Sequence, residues 1–341
     1  MFVNYLKRVI EGEHLNSSEA YEVINLLLTE NVSDNQAAAF FAALRMRRET
    51  GEELFGFASA LLEKAIKYEG LEDLLDTCGT GGGGQSTFNI STAAAIVCAA
   101  CGVRVAKHGN RAVTSQTGSA DVLEALGIRV DLDICEARRA LEEIGIAFLF
   151  APNYHPAMKK FGPMRRSLGI STAFNFLGPL INPFCPAYQI LGVSDPAMMQ
   201  SVAEALFRLD RKKALVVHSL NNMDEISHVG ITRMACVDEF GIHSEELDPV
   251  SLGFTSTDLE GIAGGAALDN AALIQDVMAG KPGPAREVVI LNAGAALMVV
   301  DKVSDLQAGV AMAANAIDSG QAGHKLFEMT RFAQDHRMAQ C

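Results

Sequence analysis

Asp76-Thr-Cys-Gly79-Thr-Gly-Gly-Gly-Gly84 runs through Asn89-Ile90-Ser91-Thr92 into the apolar stretch Ala93 to Ala100. Only glycine lets consecutive backbone N–H groups turn inward and a phosphate approach closely, and a helix N-terminus behind the loop adds about half a positive charge. The segment therefore predicts an anion cradle. Gly79, Gly81 and Gly84 also satisfy G-x-G-x-x-G. A dinucleotide turn, however, needs an acid about 20 positions on to hold a ribose, and the next acid after Asp76 is Asp121. A second polar loop, Lys107-His-Gly-Asn-Arg111-Ala-Val-Thr114-Ser115-Gln-Thr117-Gly118-Ser119, leads into the helical stretch Ala120 to Leu126. One Lys, one Arg, four hydroxyls and another helix N-terminus suit a second phosphate, so the two loops imply a bis-phosphorylated ligand. Taken alone, residues 114–119 read equally well as a hydroxyl-rich capped turn.

Acids to hold a metal beside such a ligand must come from elsewhere in the chain. Asp224-Glu225 follows the apolar run Leu215 to Val217, where parallel sheets present ligand residues. Carboxylates together with phosphate oxygens are the usual way of holding Mg²⁺. Adjacent acids also occur at Glu52-Glu53, Glu142-Glu143, Asp238-Glu239 and Glu245-Glu246, so position singles this pair out. Cys98-Ala-Ala-Cys101 has metal-site spacing, but it lies in an apolar helical run without a partner Cys or His pair and reads as packed thiols. No G-x-S-x-G turn or helical His/Glu zinc spacing is present.

The charge distribution supports an anionic ligand. The 341 residues include 41 acids and 28 Lys or Arg, a net charge of −13, which opposes duplex or membrane-surface binding. Yet residues 77–120 and 144–194 contain no carboxylate, where about eleven would fall by chance. They keep Arg104, Lys107, Arg111, Lys159, Lys160, Arg165 and Arg166, seven cations that burial alone does not explain. Seven scattered Cys, no secretory leader and no long apolar span suggest a cytoplasmic protein.

The elements that must position these loops fall into two textures. Residues 1 to about 70 recur at helical spacing, as in Val23, Ile24, Leu27 and Leu54, Phe57, Leu61, with helix starts suggested at Ser17 and Ser33. From about residue 73, short apolar runs (Val103 to Ala106, Ile146 to Ala151, Leu215 to Val217, Val288 to Leu291) alternate with helical stretches such as 133–144 and 197–208. That alternation predicts an α/β fold: a small all-helical domain over 1–72 and a large α/β domain with a mostly parallel sheet over 73–341.

The motifs together resemble the anthranilate phosphoribosyltransferases of tryptophan biosynthesis over nearly the whole chain. They are GTGG at Gly79 to Gly82, TFNIST at Thr87 to Thr92, KHGNR at Lys107 to Arg111, GSADVLEALG at Gly118 to Gly127, HPAMK at His155 to Lys159, FNFLGPLINP at Phe174 to Pro183, DEIS at Asp224 to Ser227 and LNAGAAL at Leu291 to Leu297. The resemblance implies a nucleoside phosphorylase/phosphoribosyltransferase type of fold, a return contribution to the helical domain near 165–190, and a homodimer through that domain. It also implies transfer of the phosphoribosyl group of phosphoribosyl pyrophosphate (PRPP) to the amine of anthranilate, with no membrane or nucleic-acid partner.

Carried over by resemblance, Gly79, Gly82, Gly83, Thr87, Asn89, Ile90, Ser91, Thr92, Lys107, Ser115 and Ser119 would hold PRPP. Gly79, Asn110, Arg165, His108 and His155 would meet anthranilate, and Ser91, Asp224 and Glu225 would bind two Mg²⁺. An aniline amine is neutral at pH 7, so no dedicated general base is assigned. The chain departs from the family pattern at Gly83, where Asp is usual, and at Ser171-Thr172, where Arg-Thr is usual. The alternatives are a related transferase for another aromatic acceptor and a non-catalytic nucleic-acid-binding relative. A pyrimidine nucleoside phosphorylase is disfavoured by Lys107-His-Gly-Asn-Arg111.

Overall fold

The computed structural model describes residues 1–29, 32–82, 86–112 and 116–335, with 333–335 as backbone. Four helices open the chain: α1 (Phe2–Ile10), α2 (Ser17–Leu28), α3 (Asp34–Arg47) and α4 (Gly51–Glu63). The last three each start on a reciprocal capping box, Asn16/Glu19, Ser33/Gln36 and Thr50/Glu53. Such a cap satisfies helix-end N–H groups and stabilises by about 0.5–2 kcal/mol. For α2 the cap is Asn16, one residue before the Ser17 suggested by sequence, because its side chain takes the Glu19 N–H at 3.0 Å and the Glu19 carboxylate returns to the Asn16 N–H at 3.0 Å. Glu53 is buried where it accepts from Leu15 N–H at 2.8 Å, Thr50 N–H at 2.9 Å and the Arg47 guanidinium, and so fastens the loop between α1 and α2, α3 and α4 together.

From Leu75 the chain builds one sheet of seven strands: β1 (Leu75–Gly79), β2 (Val105–Gly109), β3 (Ile146–Phe150), β4 (Tyr188–Gly192), β5 (Lys213–Ser219), β6 (Thr232–Asp238) and β7 (Gly241–Leu247). Their order is β3-β2-β1-β4-β5-β6-β7, parallel through β5 and antiparallel thereafter. Parallel pairing requires crossovers. α5 (Ile90–Ala100) joins β1 to β2, while α6 (Ser119–Ala125) and α7 (Ile134–Glu143) join β2 to β3. The fold is α/β with an N-terminal helical unit, as the alternating texture suggested.

Side-chain alternation divides the core into two faces. Leu215 and Val217 of β5 enter an apolar cluster with α5 and the helix Pro284–Val299. Ala214 and Val216 enter another with α1 to α4 and the helices Ala173–Leu180 and Met199–Arg208. The segment around residues 161–174 is joined to α3 by Phe161 and Phe174, whose rings lie 6.2 and 4.5 Å from Phe41.

One expected strand is a helix. Val288 to Leu291 lies inside Pro284–Val299, a 16-residue helix whose Val288 to Leu297 are all buried. No polar face interrupts the run, and a short apolar run carries no period that separates strand from buried helix.

Candidate active site

The C-terminal ends of β1, β2, β4 and β5 lie side by side on one edge of the sheet, where ligands of parallel sheets bind. The loop leaving β5 folds back over its neighbours. Asp224 Oδ2 accepts the Gly81 N–H at 3.0 Å, and Glu225 Oε1 accepts the Thr87 hydroxyl at 3.1 Å. Two strand-end glycines permit this approach: a Cβ on Gly192 would collide with the Asp224 carbonyl, and one on Gly79 would stand 2.6 Å from its carboxylate. Gly81 and Gly82 have φ of +63° and +77°, the left-handed backbone open to glycine without strain, with open space in front of them.

The two carboxyls are recessed, partly open to solvent yet ringed by protein atoms. Burial raises the proton affinity of both, and the neighbouring Asp224 charge raises that of Glu225 further. Glu225 Oε2 is buried without a hydrogen-bond partner. Paired hard oxygens with one unsatisfied atom suit Mg²⁺.

Lys107 on β2 is buried and donates to the Thr77 carbonyl and to Ser91 Oγ, the latter at 3.2 Å. The Thr77 hydroxyl donates to the Ser91 carbonyl at 2.9 Å. These bonds tie β1, β2 and the first turn of α5 together and leave the ammonium one N–H unused. Burial lowers the pKa of Lys107, opposed by Asp76. Asp76 is fully buried and accepts from the His108 N–H at 3.3 Å and the Asn182 amide at 2.9 Å. Burial pushes its carboxyl up to about 6, with Lys107 pulling the other way.

Asn89 has both side-chain atoms engaged: its amide donates to the Thr117 carbonyl at 3.3 Å and its oxygen accepts from Asn270 at 3.0 Å. Thr117 in turn donates to the Gly265 carbonyl at 2.8 Å. Asn89 therefore clamps the second loop to the start of α5. Ile90 and Thr92 are buried there, Thr92 with an unpartnered hydroxyl. In the second loop Asp121 accepts the N–H groups of Ala112 and Gly118, both at 2.9 Å, so a carboxylate already occupies the start of α6. Ser119 donates to the Asn110 carbonyl at 3.3 Å, and Asn110 Oδ1 accepts the Arg111 N–H at 2.8 Å. Gly83, Gly84, Thr114 and Ser115 lie outside the described residues.

The opposite face of β2, away from Lys107, carries His108. His108 and His155 are buried with ring centroids 5.2 Å apart. A neutral ring protonated at Nδ1 lets His108 donate to the Gly178 carbonyl at 3.2 Å, and Nε2 of both histidines has no partner. Burial lowers His108 to about 3, His155 opposing protonation further, and lowers His155 to about 4. Arg165 lies 5.2 Å over the Phe174 ring, burial lowers its pKa, and it forms no ion pair among the described residues. Thr172 is buried with its hydroxyl unpartnered.

Not every cation of the acid-free stretches faces these recesses. Arg111 pairs with Glu124 at 2.7 Å, Arg104 donates to the Glu72 carbonyl at 3.0 Å, and Lys160 donates to the Thr29 carbonyl. Asn182, Asn270 and Gly192 also shape the site; Asn182 lies within FNFLGPLINP, while nothing local in the sequence marks the other two.

Two family models match the chain: the glycosyl transferase family helical bundle domain over residues 3–65 and the glycosyl transferase family a/b domain over residues 71–323. An anthranilate phosphoribosyltransferase from Syntrophomonas wolfei is 52% identical, covering 99% of this chain and 100% of its own length. The chain belongs to the anthranilate phosphoribosyltransferase family. A member from Moorella thermoacetica is 44% identical over 96% of the chain and 97% of its own length. The crystal structure of anthranilate phosphoribosyltransferase from Thermus thermophilus superposes with a TM-score of 0.90 at 41% identity, covering 97% of this chain and 99% of that one. The Saccharomyces cerevisiae enzyme in complex with PRPP and Mg superposes with a TM-score of 0.89 at 25% identity, covering 98% of each chain. Within this anthranilate phosphoribosyltransferase fold, GTGG ends β1, KHGNR ends β2, DEIS follows β5, and FNFLGPLINP supplies both the Gly178 carbonyl and Asn182.

Proposed function

We propose that this protein transfers the phosphoribosyl group of PRPP to the amine of anthranilate, releasing pyrophosphate, as a step of tryptophan biosynthesis in the cytoplasm. The observation that carries this reading is the juxtaposition of the Gly81–Gly82 backbone with the recessed Asp224-Glu225 pair, whose Glu225 Oε2 is unsatisfied. That combination suits a pyrophosphate held through Mg²⁺. Family membership supplies the pair of substrates.

In this reading Gly79, Gly82, Thr87, Asn89, Ile90, Ser91, Thr92, Lys107 and Ser119, together with Gly83 and Ser115, form the PRPP site. The spare N–H of Lys107 is available to a phosphate oxygen, and the bonds from Asn89 keep the two loops at a fixed separation. Ser91, Asp224 and Glu225 would hold two Mg²⁺, which when bound offset the charge that develops on the departing pyrophosphate. Asn110, His108, His155 and Arg165 form the acceptor site, where Arg165 can grip a carboxylate bidentately. The histidines, at about 3 and about 4, are neutral at pH 7 and exclude water without competing for the carboxylate. The amine attacks C1 of the ribose as the C1–O bond to pyrophosphate breaks, and the proton then lost from the nitrogen passes to solvent; the chain's contribution is to position the two substrates and to present donors to the leaving group. The helical unit, over 1–72 with a return near 165–190, would carry a homodimer contact. Val3, Ile10 and Met46 are exposed there, Met46 at 89%.

The test is pyrophosphate release from PRPP with Mg²⁺ and a panel of aminobenzoates. Release that depends on anthranilate above the other acceptors is expected. A preference for a different aromatic acceptor would overturn the assignment in favour of a related transferase, the reading that Ser171 in place of the usual Arg favours.

A further inference from the structure

The β6–β7 hairpin ends the sheet far from β3, and one of its faces carries side chains that the chemistry above does not use. Antiparallel register places Cys236 opposite His243, Met234 opposite Glu245, and Asp238 opposite Gly241. Residues 234, 236, 238, 243 and 245 therefore project from the same face. One ligand atom each from Cys236, His243 and Glu245 lie within 4.8 Å of one another. Asp238 Oδ2 is 3.9 Å from His243 Nδ1, and Glu245 Oε1 is 3.8 Å from His243 Nε2, both too long for a hydrogen bond. Glu245 forms no other ion pair among the described residues. Burial, with Glu245 and Asp238 adding to it, pushes the Cys236 thiol up to about 12. One face of the hairpin thus gathers a soft sulfur, an imidazole and two carboxylates.

We propose that Cys236, His243 and Glu245 form a binding site for a divalent transition metal of the zinc class, distinct from the Mg²⁺ site at the strand ends, with Asp238 facing the second nitrogen of the imidazole. The donor set selects the metal: sulfur and imidazole nitrogen favour Zn²⁺-like ions over Mg²⁺ or Ca²⁺. A tetrahedral centre with bonds of about 2.0–2.3 Å spaces its ligand atoms about 3.4–3.8 Å apart, so the site must close by roughly 1 Å. His243 and Glu245 are exposed and free to make that movement, while Cys236 packs against the core and serves as the anchor. Binding replaces the S–H bond by a sulfur–metal bond, and the proton leaves to solvent; no oxidation state changes. Closure would fasten β7, an edge strand, to β6 through side chains as well as through the ladder.

The test uses Co²⁺ as the probe, added to the full-length protein in excess Mg²⁺. A thiolate-to-cobalt charge-transfer absorption that saturates at one ion per chain is expected, since carboxylates and hydroxyls at the strand ends cannot produce it. Cys236→Ser should abolish the band, and His243→Ala should weaken binding by about tenfold or more. Zn²⁺ should displace the cobalt. Absence of the band, or its survival in Cys236→Ser, would overturn the proposal. Should Cys236→Ser fail to fold, the exposed positions decide: unchanged cobalt affinity in both His243→Ala and Glu245→Gln would overturn it equally.

Discussion

Lys107 and His108 are neighbours on β2 and so point to opposite faces of the sheet, and the two recesses they line are built on contrasting principles. On the α5 face, Lys107, Thr77 and Ser91 are bonded to one another, and the two acids above them are held with raised proton affinity. On the face of the helical unit, His108 and His155 are held neutral, and Arg165 has an aromatic ring beneath it and no ion pair among the described residues. One cause, burial, disfavours charge in both recesses. It leaves the first short of cations and the second short of a single anion. In the proposed reading the contrast suits two substrates of different character, a metal-bound pyrophosphate on one side and a small aromatic carboxylate on the other.

The sharpest way to break this comparison is to remove the acids. Asp224→Asn with Glu225→Gln should abolish Mg²⁺-dependent turnover, yet denaturant unfolding of the metal-free protein should show stability unchanged or increased, because two recessed like charges are lost. Clear destabilisation would mean that the pair serves the fold.

A smaller effect is expected on the other face. Arg165→Ala should weaken anthranilate binding by roughly 1.5–3 kcal/mol, the range for a hydrogen bond to a charged group, and leave PRPP affinity nearly untouched. Equal losses for both substrates in steady-state titrations would place Arg165 outside the acceptor recess.

A third effect concerns pH. His108 and His155 sit at about 3 and about 4, below the 6.5 of an unperturbed ring, so between those limits the unfolded chain binds more protons than the folded one. Their contribution to stability is whole above about pH 6.5 and is lost as pH falls toward 4, by up to about 2 kcal/mol per ring on reaching pH 5. Asp76, raised to about 6, works in the opposite direction. The comparison must therefore be between the native chain and His108→Asn with His155→Asn. The denaturation midpoint of the native chain should fall by more between pH 7 and pH 5 than that of the variant. A constant gap would show that the rings are not held neutral.

Much of the first recess was legible in the sequence, because glycine runs, helix starts and the absence of carboxylates are local patterns with local physical causes. The parts supplied by distant chain were not. Gly192 matters because the Asp224 backbone lies against it, and Asn270 because Asn89 reaches it across 181 positions. Val288 to Leu291 misled because a helix buried on all sides leaves no polar period to read. Arg111, Arg104 and Lys160 counted toward a positive segment, yet their partners are Glu124 and the backbone carbonyls of Glu72 and Thr29, contacts that only the fold creates.

In the proposed reading the two recesses bind their substrates through separate chemistry. Calorimetric titration of the Asp224→Asn, Glu225→Gln protein with PRPP plus Mg²⁺, and separately with anthranilate, tests it most directly. PRPP binding should be lost while anthranilate binding keeps the affinity measured for the native chain. Loss of anthranilate binding together with PRPP binding would contradict it, since the acceptor recess would then depend on the acids across the sheet.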